Sequence, residues 1–508
     1  MNPFGCFSSG LRYVLVVSLF TSALFSCNDE DEPPVPEVTS INPSSALPNT
    51  LVSITGKSFS QVFSENKVSF NGKEALVTNA SSTQLNVLVP DGAETGPVVV
   101  TVRGKTATNQ VVFTVLALPS EISNVAPTTG GYNTLVTITG ANFFSSPEAN
   151  VVTFNGVQGT VTSATPTSLT VKVPARAGSG AVIVNGVAAA ISFNYVPEVF
   201  IAGYVGDASG YSRATYWKNG VPTTLANTGL HTYANDIAIV NDDVYVVGYR
   251  FLGSHSVARW WKNGTEMPVS NDAYSSSAES ILVDEGDVFI SGYEYNSNGK
   301  GVARYWKNGQ PVDLTDGSTN AFTYDIAVDG EHVYVGGTLA DTNGNSKATY
   351  WKDGVAHVLT TGVSFIWDMY VSGNDVYTTG SIRNTGPGVG FVSYWKNDEA
   401  FLLSPGLGSA AGRGIVVVGD DVYVAGVEDN SKFVRLAKYW KNGNPVILTD
   451  GASYAVAYAI DVVGEDVYVV GMEYNSTGIG VAKYWKNGVP IALTDGGYFA
   501  FATSIVLR

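Results

Sequence analysis

Cysteine is nearly absent from this chain. Only Cys6 and Cys27 occur in 508 residues, both close to the N-terminus, so no disulfide can staple the remainder and its stability must come from packing. Histidine is as scarce: His231, His255, His332 and His357 leave little material for a His-based metal or acid–base site. Charged residues make up only 14%, and basic ones are the minority, 28 Lys+Arg against 44 Asp+Glu. The resulting charge of −16 would repel phosphate backbones and excludes nucleic acid as a partner. Long apolar runs are also missing. The N-terminal one, Tyr13–Leu24, is well short of the ~20 residues that a spanning helix needs. No Ser/His/Asp arrangement, no metal-ligand spacing and no sialidase-type Ser-x-Asp-x-Gly-x-x-Trp box is found, so no cofactor or catalytic residue is expected.

What the chain has in abundance is Gly (55) and Tyr (27), a balance that fits turn-rich β-structure. It also has a repeat. Tyr-Trp-Lys-Asn-Gly stands at Tyr216–Gly220 and returns as Trp260–Gly264, Tyr305–Gly309, Tyr350–Gly354, Tyr394–Asp398, Tyr439–Gly443 and Tyr484–Gly488. Its tryptophans are 44 or 45 residues apart. That period, with strand-like sequence inside each unit, predicts a β-propeller of about four strands per blade. In the last full unit the expected strands are Ala459–Val463, Val467–Tyr474, Val481–Lys486 and Val489–Leu493, with Asn487-Gly488 as a hairpin turn. The first unit starts at Val199 without an inner strand, and the chain ends on Ala502–Leu507, an inner strand without a blade. The last strand should therefore complete the first of seven blades. The repeated Trp residues are read as packing between blades, not as a sugar platform.

Ahead of the repeats, Leu24-Phe25-Ser26-Cys27 resembles the bacterial lipobox, which implies a lipidated Cys27 and an outer-membrane lipid partner. The following Asn28-Asp29-Glu30-Asp31-Glu32 is similar to Bacteroidetes-type signals that send lipoproteins to the outer face of the cell. Two related units then carry Asn49–Gly56 and Asn133–Gly140, Val-x-Phe-Asn-Gly at Val68–Gly72 and Val152–Gly156, and Leu-x-Val-x-Val-Pro at Leu85–Pro90 and Leu169–Pro174. These motifs resemble the TIG (IPT) immunoglobulin-like domain, which implies spacer or interaction modules. The expected fold is all-β: two Ig-like β-sandwiches followed by a seven-bladed β-propeller closed by the C-terminal strand. The boundaries are 1–26 signal peptide, 27–36 acidic, Pro-rich tether, 37–116 and 119–196 Ig-like domains, and 197–508 propeller.

Function is sought where the repeats differ, on the longer loops of one face. One register just before each inner-strand Asp/Ser-Ile or its equivalent reads Asn235, Glu279, Tyr324, Trp367, Arg413, Tyr458 and Thr503. These seven should surround the channel mouth, with aromatics to stack on a flat ligand and polar groups to orient it. Trp367 is the only one of nine Trp outside the repeated Tyr-Trp position. Asp316, Asp450 and Asp495 of the Thr-Asp-Gly triplets are read as turn residues, since one Asp per loop is far from a Ca²⁺ shell. The expectation is a non-catalytic surface lipoprotein that binds a glycan or a protein. The alternatives are a structural or adhesive envelope protein, and a polysaccharide-acting enzyme using Glu279 and Arg413.

Overall fold

The computed structural model describes residues 34–508 apart from 108, 117, 226–228, 384–389 and 407. Among these, every regular element is a β-strand except the short 3-10 turns Phe63–Glu65 and Pro147–Ala149. The contacts divide the chain into two compact units that meet at Leu118/Pro119.

In the first unit, strands Glu37–Asn42, Leu51–Lys57, Gln84–Leu88, Lys73–Ala80, Asn66–Phe70, Gly96–Val102 and Val111–Val115 follow one another along one hydrogen-bonded path. Alternate residues point inward, as the period of two requires. Val52, Ile54, Leu85, Val87, Val98 and Val100 form the core with Phe70, whose ring meets Phe113 edge-on at 5.0 Å. The second unit opens on a related arrangement in two sheets, built on Leu135–Ala141 and Val187–Tyr195, with Phe154 and Phe193 edge-on at 5.1 Å. Asn66 and Asn150 stand at equivalent places after the two 3-10 turns. Each amide both donates to and accepts from the preceding loop's backbone.

Seven four-stranded antiparallel sheets follow. In the second of them the strands are Thr232–Val240, Asp243–Leu252, His255–Lys262 and Thr265–Pro268, in chain order from inside outward. The first sheet takes Val199–Gly206, Ser212–Lys218 and Val221–Thr224 from its own repeat and Ala500–Leu507 from the chain's end. The innermost strands touch in cyclic order, and Ala500–Leu507 lies against both Ala455–Val463 and Thr232–Val240.

Each residue of the repeated pentapeptide has a local task. Trp217, Trp261, Trp306, Trp351, Trp395, Trp440 and Trp485 are all buried between sheets, at 2% exposure or less. The Asn adopts positive φ in the hairpin turn and accepts a hydrogen bond from the start of the second strand, as Asn263 does from the Val244 N–H at 2.9 Å. In six of the seven repeats the Lys pairs with an acidic residue at or just before the start of that strand while lying over an aromatic ring: Lys262 is 2.7 Å from Asp243 and 4.9 Å from the Tyr245 centroid.

All seven innermost strands bulge at one place. Pairing skips one residue at Asn235, Glu279, Tyr324, Trp367, Arg413, Tyr458 and Thr503. The bulge pushes a carbonyl onto the second strand, where each sheet has glycine: Gly203, Gly248, Gly292, Gly337, Gly380, Gly426 and Gly471. A Cβ at those positions would lie 1.7–2.2 Å from that carbonyl oxygen. Gly380→Ala should therefore cost about 1–3 kcal/mol, read as a lower melting temperature. An unchanged melt would mean that the bulge is not fixed in place.

The second IPT-like segment is fastened to the sheets by Arg176. Its guanidinium donates to both Asp461 carboxylate oxygens at 2.6 and 2.8 Å, and to the carbonyls of Val462 at 2.8 Å and Leu507 at 3.2 Å. Gly178 abuts Gly464 in a tight turn, and one apolar cluster runs from Val136 and Phe193 to Val199, Val463 and Leu507. The docked domain thus lies at the tight-turn ends of the strands. The bulges and the longer loops lie at the other ends.

Candidate functional site

Bulges re-aim side chains, and these aim seven into one space. Asn235, Glu279, Tyr324, Trp367, Arg413, Tyr458 and Thr503 all line a cavity of about 610 Å³ at the centre of the ring of sheets. The expected register is therefore brought together, but its members are not equivalent. Thr503 donates its hydroxyl proton to the carbonyls of Ala202 and Ala234, at 3.1 and 3.0 Å. The Asn235 amide donates to the Ala278 carbonyl at 2.9 Å and to the Glu279 carboxylate at 3.1 Å. Both tie neighbouring sheets together. The side chains left to meet a ligand are Glu279, Tyr324, Trp367, Arg413 and Tyr458.

Four of these five form a connected group. Trp367 stacks on Phe365 with centroids 6.0 Å apart and planes within 12°, while Tyr324 leans on it at 4.7 Å. The Arg413 guanidinium lies over the Trp367 ring at 4.3 Å and reaches toward Tyr458 at 5.9 Å. Glu279 sits apart from Arg413 and forms no ion pair with it. Water still reaches Glu279, but protein walls it in, and that burial pushes its carboxyl up to about 7. Tyr324 is pushed up to about 12, by burial first and then by the Glu279 charge. Tyr293 and Tyr249 are raised by burial, with Glu279 also acting on both.

One step deeper, Asp236, Asp325 and Asp368 hold the strands to one another. Asp236 accepts from the Ile281 N–H, Asp325 from Met369 and Asp368 from Ile415, each on the next innermost strand. Burial raises all three, and the Asp325 charge raises Asp368 further. Asp325 and Asp368 share a hydrogen bond, an arrangement that keeps a proton between them. No group of three or more His, Cys, Asp or Glu among the described residues is arranged to hold a metal ion. Asp316, Asp450 and Asp495 each accept from the backbone N–H two residues on, as turn residues do.

The face around the mouth is richer in aromatics than the seven-residue register implies. Tyr204 stacks on Phe501 at 5.0 Å, Tyr233 on Tyr249 at 4.9 Å, and Tyr293 meets Phe322 at 4.8 Å. Tyr274, Phe433, Tyr454, Tyr498 and Phe499 are exposed on the loops of this face, and Phe251 at the end of a strand beside them. Tyr204, Tyr249 and Tyr293 were legible in principle, because each follows the glycine that every second strand carries opposite the bulge. A second cavity of about 440 Å³ opens beside the first and shares Trp367 and Arg413 with it.

Residues 36–115 and 119–197 match the IPT/TIG domain family. No curated protein matches the chain. Among solved structures it is similar to a Bacteroides thetaiotaomicron protein of unknown function, at 16% identity and a TM-score of 0.44, over 73% of this chain and 98% of that one. It is also similar to an auxiliary nutrient binding protein from the same organism, at 13% identity and a TM-score of 0.29, over 77% and 98%. A third likeness is to an auxiliary nutrient binding protein from Bacteroides ovatus, at 13% identity and a TM-score of 0.31, over 77% and 98%. TM-scores this low leave all three silent on the ligand of the site. No helix among the described residues is long and apolar enough to cross a membrane. Cys27, the expected lipid attachment site, lies outside the described residues.

Proposed function

We propose that this chain is a non-catalytic lipoprotein of the outer membrane, anchored through Cys27, whose seven sheets are the blades of a β-propeller that binds a glycan or protein ligand. In this reading the Ig-like domains are a stalk, and the cell surface is where the ligand is met. The observation that carries it is polarity. The second Ig-like domain is fastened to the tight-turn ends through Arg176, while Tyr324, Trp367, Arg413 and Tyr458 line the opposite, bulge end of a cavity that runs along the innermost strands. An anchored side and an aromatic open side are what a tethered receptor needs. Pockets of several hundred Å³ with few convergent polar groups are the usual form of ligand sites.

Trp367→Ala is the test, with the full chain offered to a broad oligosaccharide panel. Affinity should weaken roughly 10-fold or more, since a central aromatic anchor carries a large share of binding energy. The melting temperature should fall by no more than about 2 °C, because Trp367 borders open cavities on two sides. Full affinity in the variant would move the ligand elsewhere.

A second reading, an enzyme acting on polysaccharide, draws on Glu279, whose carboxyl lies in the range of a general acid. The deeper carboxylates are committed to backbone N–H groups, which leaves Glu279 without the second carboxylate that glycoside hydrolysis ordinarily uses. Release of product from a polymer, abolished in Glu279→Gln, would establish that reading instead.

A further inference from the structure

Arg413 is a cation in the wrong surroundings. It stands in the wall between the two cavities, sandwiched against Trp367 at 4.3 Å, in a chain whose acidic residues outnumber its basic ones. Most other arginines of the sheets have carboxylates, as Arg213 has Asp207, Arg259 has Asp272, Arg304 has Glu294 and Asp313, and Arg435 has Asp429. Among the described residues Arg413 has no carboxylate partner, and its buried Nε–H makes no hydrogen bond. The buried Trp367 Nε1–H beside it is unpartnered as well. Burial pulls the Arg413 pKa below its ordinary value, and the nearby Arg435 guanidinium adds to that. A buried charge without a partner is costly to keep, as are buried donors without acceptors. Arg413 lines both cavities, so the end of its guanidinium can meet an incoming group there, while its Nε–H and the Trp367 Nε1–H stay covered.

We infer that the ligand of this mouth carries an isolated carboxylate on a sugar, a uronate among neutral residues, and that Arg413 receives it. The inference rests on the receptor reading above and names the chemistry of its ligand. A guanidinium offers the planar, paired donors that fit a carboxylate. The neutral part of the ligand meets the aromatic rings that line the same cavity, Tyr324, Trp367 and Tyr458. Such flat faces suit pyranose rings. A run of carboxylates is disfavoured, because the net charge is −16 and Glu279 stands at the same mouth. That disfavours an acidic peptide and a polyuronate alike, and leaves a sparsely charged glycan.

The experiment offers the full chain and its Arg413→Gln variant a panel of oligosaccharides with neutral backbones and single glucuronate branches. Each is used intact and after reduction of the carboxylate to the alcohol. A polyglutamate peptide is run beside them. The intact form should bind the unaltered chain roughly 10- to 100-fold more tightly than the reduced form, the difference expected for a hydrogen bond to a charged group. Arg413→Gln should abolish that difference. Free glucuronate should raise the melting temperature of the unaltered chain and not of the variant, while glucose raises neither. Equal binding of intact and reduced forms, lost in Trp367→Ala, would overturn the carboxylate and leave the mouth as a site. Arg413-dependent capture of polyglutamate alone would replace the glycan with a peptide. Loss of the glucuronate effect together with all panel binding would overturn both readings.

Discussion

Removal of Ala500–Arg508 should abolish cooperative folding of the second unit. The deleted segment is the innermost strand of the first sheet, paired from Val199 to Val205 along its length. It buries Ala500, Ala502, Ile505 and Leu507 almost completely. It also supplies the Ser504 hydroxyl to Asp236, the Leu507 N–H to Asp461 and the Arg508 guanidinium to Glu198. Losing one buried Ile or Leu side chain costs about 2–5 kcal/mol. Losing a strand that carries both, with its ladder of hydrogen bonds, exceeds the roughly 5–15 kcal/mol that holds a domain together. Ile201 would also become an open apolar edge, prone to pairing with another chain. Thermal melting followed by circular dichroism is the measurement. The truncated chain should keep the transition of the first unit, which has its own core around Phe70 and Phe113, and lose the larger one. A full second transition at the original temperature would mean that the ring does not depend on its closing strand. Leu507→Ala, which keeps the strand, should lose only about 2–5 kcal/mol.

The pairing of the last strand with the first sheet was legible by counting strands, because the repeat is written in local chemistry. Asn in the left-handed turn, Lys beside Asp, and Trp between sheets are demands of each hairpin, so they recur with the 44- or 45-residue step. The mouth register was legible for the same reason: a bulge occurs at one place in every innermost strand, directly ahead of the Asp-Ile or Ser-Ile pair or its equivalent. What the sequence conceals is which mouth residues are free. Asn235 and Thr503 look available, yet each is consumed by a carbonyl that only strand pairing and sheet packing bring close. Glu279 and Arg413 share a register and suggest a pair, but in space they are separate. The Arg176–Asp461 clasp spans 285 positions, and nothing local in either residue announces it. Pairing and twist, which are long-range, decided these cases.

Replacing Glu279 with Gln should stabilise the protein above neutral pH and leave it unchanged at about pH 4. Burial raises this carboxyl from an ordinary value of 4.5 to about 7 in the folded chain. Between those values the folded state holds the proton and the unfolded state does not, so stability falls as pH rises through that window. Above about 7 the penalty is complete, at about 3 kcal/mol from the size of the shift. Gln carries no charge at any pH and can still accept the Asn235 hydrogen bond. The variant should therefore melt about 3–4 °C above the unaltered chain at about pH 8, and together with it at about pH 4. Asp325 and Asp368 are raised in the same direction, so a smaller slope should survive in the variant. The surface acids paired with lysines, such as Asp243 and Asp375, are shifted down and lose their contribution only at lower pH, outside this window. Identical melting curves at about pH 8 would mean that water reaches Glu279 freely and the mouth is wetter than its walls imply. The predicted gain would instead show that the unaltered chain keeps a carboxyl at its mouth at a cost in stability, which a purely structural ring has no need to bear.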